Sequence, residues 1–188
     1  MVKTGERQEG VIERSHLARY EFASTWLKPG MRVLDVFCGT GYGANYMQTH
    51  RRAEVTGFDK FSKHEGYNFK FVQGSFPGID FDNDSFDFIT CFESIEHVKD
   101  FVAMHLLASM RSWLRRGGEL WISTPNNYYM PYDKKRYPFH MRHYTPSQLE
   151  TDLSLMGFDH VEWFNQDRKG QVCFEPGFNG AYMIARCK

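Results

Sequence analysis

Residues 33–43 read VLDVFCGTGYG, an apolar run that passes directly into a glycine-rich segment. The run VLDVF has the length and the composition of a buried strand, and the glycines permit a tight turn into a following helix. Glycines at such a turn let backbone N–H groups at the helix N-terminus approach a ligand closely. The stretch therefore predicts a strand, a turn and a helix, with a ligand site at the carboxyl end of the strand.

Strands and helices alternate on both sides of this unit. Helices are predicted at about 12–27, near 44–50, at 100–115 and from Thr145, as N-cap, to Gly157. The other predicted strands are 53–59, about 69–73, 86–92, 118–124, 160–165 and 181–187. The last two strands are suited to pair as an antiparallel hairpin, and only a short connection fits after Asp59. This order indicates one domain, residues 1–188, with a doubly wound α/β sheet.

Length, charge and cysteine usage limit the class of function. The 23 Lys and Arg residues balance 23 Asp and Glu residues, so the chain has no overall bias toward nucleic acids or anionic membranes. We expect no membrane partner and a cytoplasmic location, because the sequence lacks both a long apolar run and an apolar N-terminal leader. The cysteines are scattered without a CxxC pair, which argues against a disulfide framework and a cysteine zinc site. They are Cys38, Cys91, Cys173 and Cys187.

The glycine segment alone leaves the ligand open. Gly39, Gly41 and Ala44, with Asp59 about 20 residues further on, satisfy the dinucleotide fingerprint. Asp35 argues against a dinucleotide, because a carboxylate at the end of the first strand would face a pyrophosphate unfavourably. The same carboxylate suits a cationic ligand that carries an α-amino group and a sulfonium.

The series of motifs resembles that of the class I S-adenosylmethionine-dependent methyltransferases. VLDVFCGTGYG is similar to their first motif, and GFD at 57–59 and VQGSF at 72–76 are similar to the second and third. FDFITCFESIEHV resembles the fourth motif and LRRGGELWISTPN the fifth. The resemblance covers most of the chain. It implies S-adenosylmethionine as cofactor and a Rossmann-like seven-stranded sheet of order 3-2-1-4-5-7-6, with strand 7 antiparallel.

The same resemblance implies a set of residues that contact the methyl donor. They are Asp35, Phe37, Cys38, Gly39, Gly41, Asp59, Lys60, Gly74, Ser75, Phe76 and Phe92. Asp59 would accept hydrogen bonds from the ribose, and Phe76 would pack on the adenine. Two positions depart from the family pattern: Phe37 replaces a glycine, and Ser75 replaces the Asp that many members use to bind the adenine amino group. Phe37 and the short connection after Asp59 leave a nonenzymatic S-adenosylmethionine-binding module as an alternative of another class.

The segment CFESIEHVK, residues 91–99, places Glu93, Glu96 and His97 at the end of the fourth long strand. A hydroxyl nucleophile needs a proton acceptor, or a metal that lowers its pKa. His97 as general base is the simpler hypothesis. The ExxEH pattern followed by TPN also resembles small-RNA 3′-end 2′-O-methyltransferases, and ubiquinone-pathway O-methyltransferases share its ExxEH part. That resemblance implies a divalent metal (Mg²⁺, Mn²⁺ or Zn²⁺) held by Glu93, Glu96, His97 and either His140 or His143, with His140 as our choice.

Residues 125–144 predict a long loop over the acceptor. Its tyrosines are candidates for stacking on a sugar or base, namely Tyr128, Tyr129, Tyr132 and Tyr137. Its cations are candidates for a phosphate, namely Lys134, Lys135, Arg136 and Arg142. PFHMRHYTPSQL and the N-terminal HLARYEFA resemble bacterial and phage methyltransferases of sugars and surface-glycan precursors.

The combined prediction is O-methylation of a sugar or small-molecule hydroxyl, with Glu93, His97 and His140 as catalytic residues. An RNA 3′-terminal ribose is the alternative acceptor. Nucleobase N-methylation is disfavoured, because no [DNS]PP[YFW] motif follows the fourth strand. An NAD-dependent oxidoreductase is disfavoured by Asp35.

Overall fold

The computed structural model describes residues 4–61, 63, 65–167 and 175–188, which form one sheet flanked by helices. The helices are α1 (Thr4–Ala23), α2 (Tyr42–Arg51), α3 (Asp100–Trp113) and α4 (Pro146–Leu155). The strands are β1 (Arg32–Val36), β2 (Glu54–Asp59), β3 (Lys70–Gln73), β4 (Phe86–Phe92), β5 (Leu114–Pro125), β6 (Val161–Gln166), β7 (Glu175–Pro176) and β8 (Tyr182–Cys187). Short 3₁₀ turns, Ser24–Trp26 and Ile95–His97, follow α1 and β4.

The strands lie in the order β3-β2-β1-β4-β5-β8-β6-β7. Neighbours from β3 to β5 are parallel, whereas β8 runs antiparallel to both β5 and β6. If the two-residue β7 at the edge is left aside, β8 is the seventh strand. The predicted order 3-2-1-4-5-7-6 with an antiparallel strand 7 is therefore confirmed. The parallel strands end at one edge, which is where α/β proteins bind their ligands.

Helices cover both faces of the sheet, which explains why its central strands are apolar throughout. Successive residues of β1 point to opposite faces: Val33 joins Tyr20 and Met47 in the core beneath α1 and α2. Leu34 joins Leu106, among others, in the core beneath α3 and α4. Every residue of β4 is buried, as expected for a strand that is covered on two sides.

The start of β5 differs from the sequence prediction, which placed a helix through residue 115 and a strand from residue 118. In the structure α3 ends at Trp113, and Leu114 already pairs with Phe86 of β4. The register between β4 and β5 then shifts, and Gly117 adopts a φ of 78°, which favours glycine. The glycine pair therefore forms an irregularity inside the strand and does not end the helix.

Three further local features were predicted: the first helix, the start of α4 and the connection between β2 and β3. The first helix begins earlier than residue 12 and gives way to a 3₁₀ turn after Ala23. The predicted N-cap of α4 is confirmed, and it is part of a capping box: the Thr145 hydroxyl accepts from the Gln148 amide while the Gln148 side chain accepts from the Thr145 amide. No helix occurs among the described residues between β2 and β3. There the Phe69 ring packs so close to Gly41 that a Cβ on that glycine would lie 2.4 Å from it.

Three of the four cysteines, Cys38, Cys91 and Cys187, are free and buried. Cys173 lies outside the described residues. Within the described part of the chain, no helix combines the length and the apolar character needed to cross a bilayer.

Candidate active site

Asp35 lies on β1 and is completely buried. Its Oδ1 accepts hydrogen bonds from Thr90 Oγ1 at 2.7 Å and from the Tyr20 hydroxyl at 3.1 Å, whereas Oδ2 has no hydrogen-bond partner. Burial raises the pKa of Asp35 to about 7, although the two hydrogen bonds act in the opposite direction. A buried carboxylate with an unpaired oxygen is costly, and a cationic ligand group would relieve that cost.

The glycine turn after β1 is folded around Asp59. The Gly39 amide donates to Asp59 Oδ2 at 2.9 Å, and the Phe61 amide donates to Asp59 Oδ1 at 3.0 Å. The Gly74 amide donates to the Asp59 carbonyl at 2.9 Å. A Cβ added to Gly39, at φ +56°, would meet nothing within 4 Å, so the turn borders open space. The Asp35 oxygen without a partner fits the amino-acid part of S-adenosylmethionine. Asp59 fits the ribose part, because its carboxylate can accept further hydrogen bonds beyond the two from the Gly39 and Phe61 amides.

Phe37 replaces a family glycine but keeps a glycine-like backbone. Its φ is 56°, in the left-handed region that costs a non-glycine residue roughly 1–3 kcal/mol. Its ring packs against Phe58, with the ring centroids 5.2 Å apart. The Phe37 side chain therefore adds to the core beneath α3, while its backbone keeps the conformation that the turn needs.

The other predicted donor-site residues fall into two groups. Cys38 and Phe92 are buried in the core beneath α1 and α2, where burial raises the pKa of the Cys38 thiol. Lys60 and Ser75 are exposed near the ends of β2 and β3. The Phe76 ring contacts the His105 ring of α3, with centroids 4.9 Å apart. The Cys38 and Phe92 side chains therefore belong to the core, whereas Lys60 and Ser75 remain exposed.

Glu93 begins the acceptor side of the site. It follows β4 directly and adopts a φ of 48°. Its Oε1 accepts from Ser123 Oγ at 2.8 Å and lies 3.6 Å from Arg19 Nη2. Arg19 belongs to α1, and its side chain is buried; its Nε and Nη2 atoms lack hydrogen-bond partners. Glu93 is therefore held by β5 and α1.

Glu96 is buried deeper than Glu93. Its Oε2 accepts from Thr124 Oγ1 at 3.1 Å, and its Oε1 has no hydrogen-bond partner. Burial, and then the charge of Glu93, raise the pKa of Glu96 well above its ordinary range. Binding of a cation or a proton would therefore stabilise the buried Glu96 carboxyl.

Three histidines complete this side. His97 is exposed, and its Nδ1 lies 3.1 Å from the Phe139 carbonyl oxygen. His140 Nδ1 lies 2.7 Å from His143 Nε2, and His143 Nδ1 lies 2.5 Å from the Met130 carbonyl oxygen. Burial, followed by the neighbouring histidines, lowers the pKa of His140 to about 4. Burial also lowers the pKa of His143.

The predicted metal set is assembled only in part. Among the described residues, Glu96, His97 and His140 each offer a ligand atom within 4.8 Å of the others. His140, the residue chosen from sequence, is therefore in place. His143 lies behind it, and Glu93 is not part of this triplet.

The comparison with protein families agrees with this geometry. Residues 8–162 match the family model described as a methyltransferase domain. The chain belongs to this methyltransferase family.

Two curated methyltransferases are similar to this chain over part of its length. The methyltransferase is 34% identical over 120 residues to the ubiquinone biosynthesis O-methyltransferase of Xanthomonas axonopodis pv. citri, a match that covers 57% of this chain and 49% of that protein. It is 33% identical over 104 residues to the sterol 24-C-methyltransferase ERG6B of Gibberella zeae, covering 49% and 27%. The chain thus spans about a quarter to a half of the length of these curated relatives.

A solved structure matches over nearly the whole chain. It is the methyltransferase in complex with the Haloferax volcanii Trm112 methyltransferase activator, with a TM-score of 0.75 and 17% identity. The match covers 97% of this chain and 93% of that one. At this identity the likeness shows the fold alone, which is that of class I methyltransferases.

The loop of residues 126–144 holds His140 and His143 of the methyltransferase near the end of β4. The Met141 amide donates to the Glu96 carbonyl at 2.7 Å, and the Tyr132 hydroxyl donates to the His140 carbonyl at 2.9 Å. Tyr137 stacks on His140, and Arg142 pairs with Asp152 and Asp100. These three side chains, predicted to contact the acceptor, build the loop in this structure.

Other acceptor candidates on this loop stay exposed. Tyr128 is 67% and Tyr129 47% exposed, and Lys135 and Arg136 are also exposed. Lys134 is exposed as well, and its Nζ donates to the His140 carbonyl at 3.2 Å. These side chains therefore remain candidates for an acceptor contact.

Several buried polar partners were missed from the sequence. Thr90 is a hydroxyl inside the apolar run FDFITCF, and Ser123 and Thr124 end the apolar run GELWIST. The signal for Thr90 was a polar residue within an apolar strand, and the signal for Ser123 and Thr124 was a polar pair at the carboxyl end of one. The contacts of Arg19 with Glu93 and of Tyr20 with Asp35 were harder to predict, because α1 lies far from these residues in the sequence.

Proposed function

We propose that this chain is an S-adenosylmethionine-dependent methyltransferase that methylates a hydroxyl of a sugar or another small molecule. The observation that carries the proposal is the convergence of Glu96, His97 and His140 at the end of β4. Methylation of a hydroxyl requires removal of a proton, and the imidazoles of His97 and His140 are groups that can accept one. The O-methyltransferase of ubiquinone biosynthesis among the relatives supports the same class of reaction.

The donor half positions the cofactor. When bound, S-adenosylmethionine supplies a methyl group that its sulfonium has already activated. Asp35 is suited to pair with a cationic group of the donor through its free Oδ2, and Asp59 to accept from the ribose hydroxyls. Gly39 keeps the turn open to the ligand, and Gly41 allows the Phe69 ring to pack against the turn. The main task of these residues is alignment, since in-line transfer depends on the placement of the reacting atoms.

The acceptor half supplies the base. The Phe139 carbonyl can only accept, so His97 Nδ1 carries the proton and its Nε2 lone pair is left to receive one from the acceptor hydroxyl. His140 contributes a second imidazole nearby, with its ring centroid 4.5 Å from that of His97. Glu93 is fixed by Ser123 and Arg19, and its charge acts on His143 and Glu96.

A divalent metal is a second candidate for activating the hydroxyl. Glu96 Oε1 lacks a hydrogen-bond partner, and one carboxylate with two imidazoles suits Mn²⁺ or Zn²⁺ better than Mg²⁺. Glu96, His97 and His140 would hold the ion, and its chemistry would be to lower the pKa of a bound hydroxyl. The four-ligand set of the RNA 3′-terminal ribose 2′-O-methyltransferase alternative would also require Glu93 to leave Ser123 and Arg19.

Binding is the first experiment. Calorimetry with S-adenosylmethionine, S-adenosylhomocysteine and NAD should show binding of the first two and none of NAD. Absence of binding at millimolar concentration would overturn the proposal. We place the reaction in the cytoplasm, in agreement with the free, buried thiols of Cys38, Cys91 and Cys187.

Turnover is the second experiment. Formation of S-adenosylhomocysteine is followed with sugars, nucleotide sugars, catechols and RNA bearing a free 3′-terminal ribose, each with and without a chelator. Activity on a sugar or small molecule supports the proposal, and activity on RNA alone supports the alternative. Full turnover in chelator excludes the metal and leaves His97 as base, whereas loss that Mn²⁺ restores supports the metal.

A further inference from the structure

His143 is buried and only 4% exposed. Both of its ring nitrogens are engaged: Nδ1 lies 2.5 Å from the Met130 carbonyl oxygen, and Nε2 lies 2.7 Å from His140 Nδ1. The three groups form a line from the backbone of the acceptor loop to the triplet of Glu96, His97 and His140.

The chemistry of these partners fixes the protons. A carbonyl oxygen only accepts, so His143 Nδ1 must carry the hydrogen. Burial favours a neutral ring, which leaves a lone pair on His143 Nε2. His140 Nδ1 must then donate to it. His140 Nε2 is therefore the ring nitrogen with a free lone pair.

His97 is fixed in the same way by a different partner. Its Nδ1 donates to the Phe139 carbonyl at 3.1 Å, which leaves Nε2 free. Two rings from separate segments therefore carry free Nε2 lone pairs in a group whose ligand atoms lie within 4.8 Å of one another. For His97 the backbone specifies the tautomer, whereas for His140 a side chain does.

We propose that His143 is a positioning residue, which keeps His140 in the tautomer that offers its Nε2 lone pair to the reaction centre. The inference rests on the proposed function for its catalytic meaning. Packing alone does not give this result: Tyr137 stacks on His140, with ring centroids 5.3 Å apart, and restrains the ring's orientation without choosing its proton. A neutral histidine without an acceptor at Nδ1 is free to carry the proton on either nitrogen.

Two substitutions separate this role from a purely structural one. His143→Leu and His143→Gln both remove the imidazole and its bond to Met130. The Gln side chain keeps an oxygen that accepts from His140 Nδ1, and the Leu side chain does not. His160→Leu is the matched control, because His160 is an exposed histidine remote from the triplet in the sequence.

The direct readout is the tautomer of His140, observed by long-range ¹H–¹⁵N correlation spectra of the full chain with ¹⁵N-labelled histidine. A His140→Gln spectrum assigns the signal. We expect the Nδ1–H form in the unsubstituted chain, in His160→Leu and in His143→Gln, and a mixture or the Nε2–H form in His143→Leu. An Nε2–H form in the unsubstituted chain, or no change in His143→Leu, would overturn the inference.

Turnover gives the second readout. Loss of an outer partner typically lowers metal affinity or activity about 10–100-fold, so His143→Leu should lower kcat by that factor at unchanged KM for S-adenosylmethionine. His143→Gln should recover most of the loss. Equal losses in both variants would indicate a structural role and contradict the inference. The spectra need neither donor nor acceptor, so they report the tautomer even if the proposed reaction fails. If His143→Leu does not fold, an Nε2–H form in the unsubstituted chain still overturns the inference.

Discussion

The donor half and the acceptor half of the site lie at the same edge of the sheet but are built by different means. The donor half follows from strand register, because parallel pairing places Asp35 of β1 opposite Thr90 of β4. The acceptor half depends on irregular chain: His97 is bonded to the Phe139 carbonyl, and His143 to the Met130 carbonyl. A fold that repeats across a family can therefore keep its donor site while the loop changes the chemistry at the acceptor.

The two halves also differ in charge. The donor half offers the carboxylates of Asp35 and Asp59 to a cationic ligand. The acceptor half places His140, whose pKa burial lowers to about 4, near the Glu96 carboxyl, whose pKa burial raises. Substitutions should therefore separate binding of the donor from the methyl-transfer step.

The largest effect should come from the acceptor half. His97→Ala removes the proposed base, so kcat should fall about 10²–10⁴-fold while the Kd for S-adenosylmethionine stays unchanged. Rates with the natural acceptor, combined with calorimetry, make this measurement. Normal turnover would remove His97 from the chemistry, and weakened donor binding would show that the halves are not separate.

The next effect concerns the rigidity of the donor half. Gly41→Ala combines a φ of 88° with a Cβ 2.4 Å from Phe69 Cζ, so the free energy of unfolding should fall by about 2–4 kcal/mol. Gly30→Ala is the matched control, since Gly30 has a φ of 79° and open space around its Cβ; the expected loss is about 1 kcal/mol. Chemical denaturation measures both, and equal losses would refute the close packing at Gly41.

A smaller effect concerns pH. The pKa of Asp35, raised to about 7 by burial, means that the ligand-free fold holds a proton that the unfolded chain has lost. Asp35 therefore stabilises the ligand-free fold at low pH, and this stabilisation is lost as the pH rises through about 7. A cationic donor should favour the ionised form, so its affinity should rise about tenfold between pH 6 and pH 8. Calorimetry at several pH values measures this, and an equally steep rise in Asp35→Asn would assign it to another group.

The smallest effect concerns the anchor of the acceptor loop. Thr145→Ala removes the capping box of α4, so unfolding free energy should fall by about 1 kcal/mol. Thr151→Ala, on the exposed side of the same helix, should change it less. Thermal melts of the two variants make the comparison, and equal melting temperatures would show that the cap does not anchor the loop.

The same division explains what the sequence could predict. Regular strands and contiguous motifs predicted the α/β sheet, the glycine turn and the acidic residues at the ends of β1 and β2, and the family resemblance implied the order of the strands. The left-handed backbone of Phe37 and the irregular start of β5 were not readable, because they depend on packing against neighbouring strands. The choice between His140 and His143, and the pairing of Glu93 with Arg19, depend on how the loop and α1 fold over the sheet.

The most direct test of the account is a crystal structure of the chain with S-adenosylhomocysteine bound. We predict the amino-acid part beside Asp35, the ribose beside Asp59, and the sulfur directed toward Glu96, His97 and His140. A ligand bound elsewhere, or a sulfur that faces away from these three residues, would contradict the proposed function.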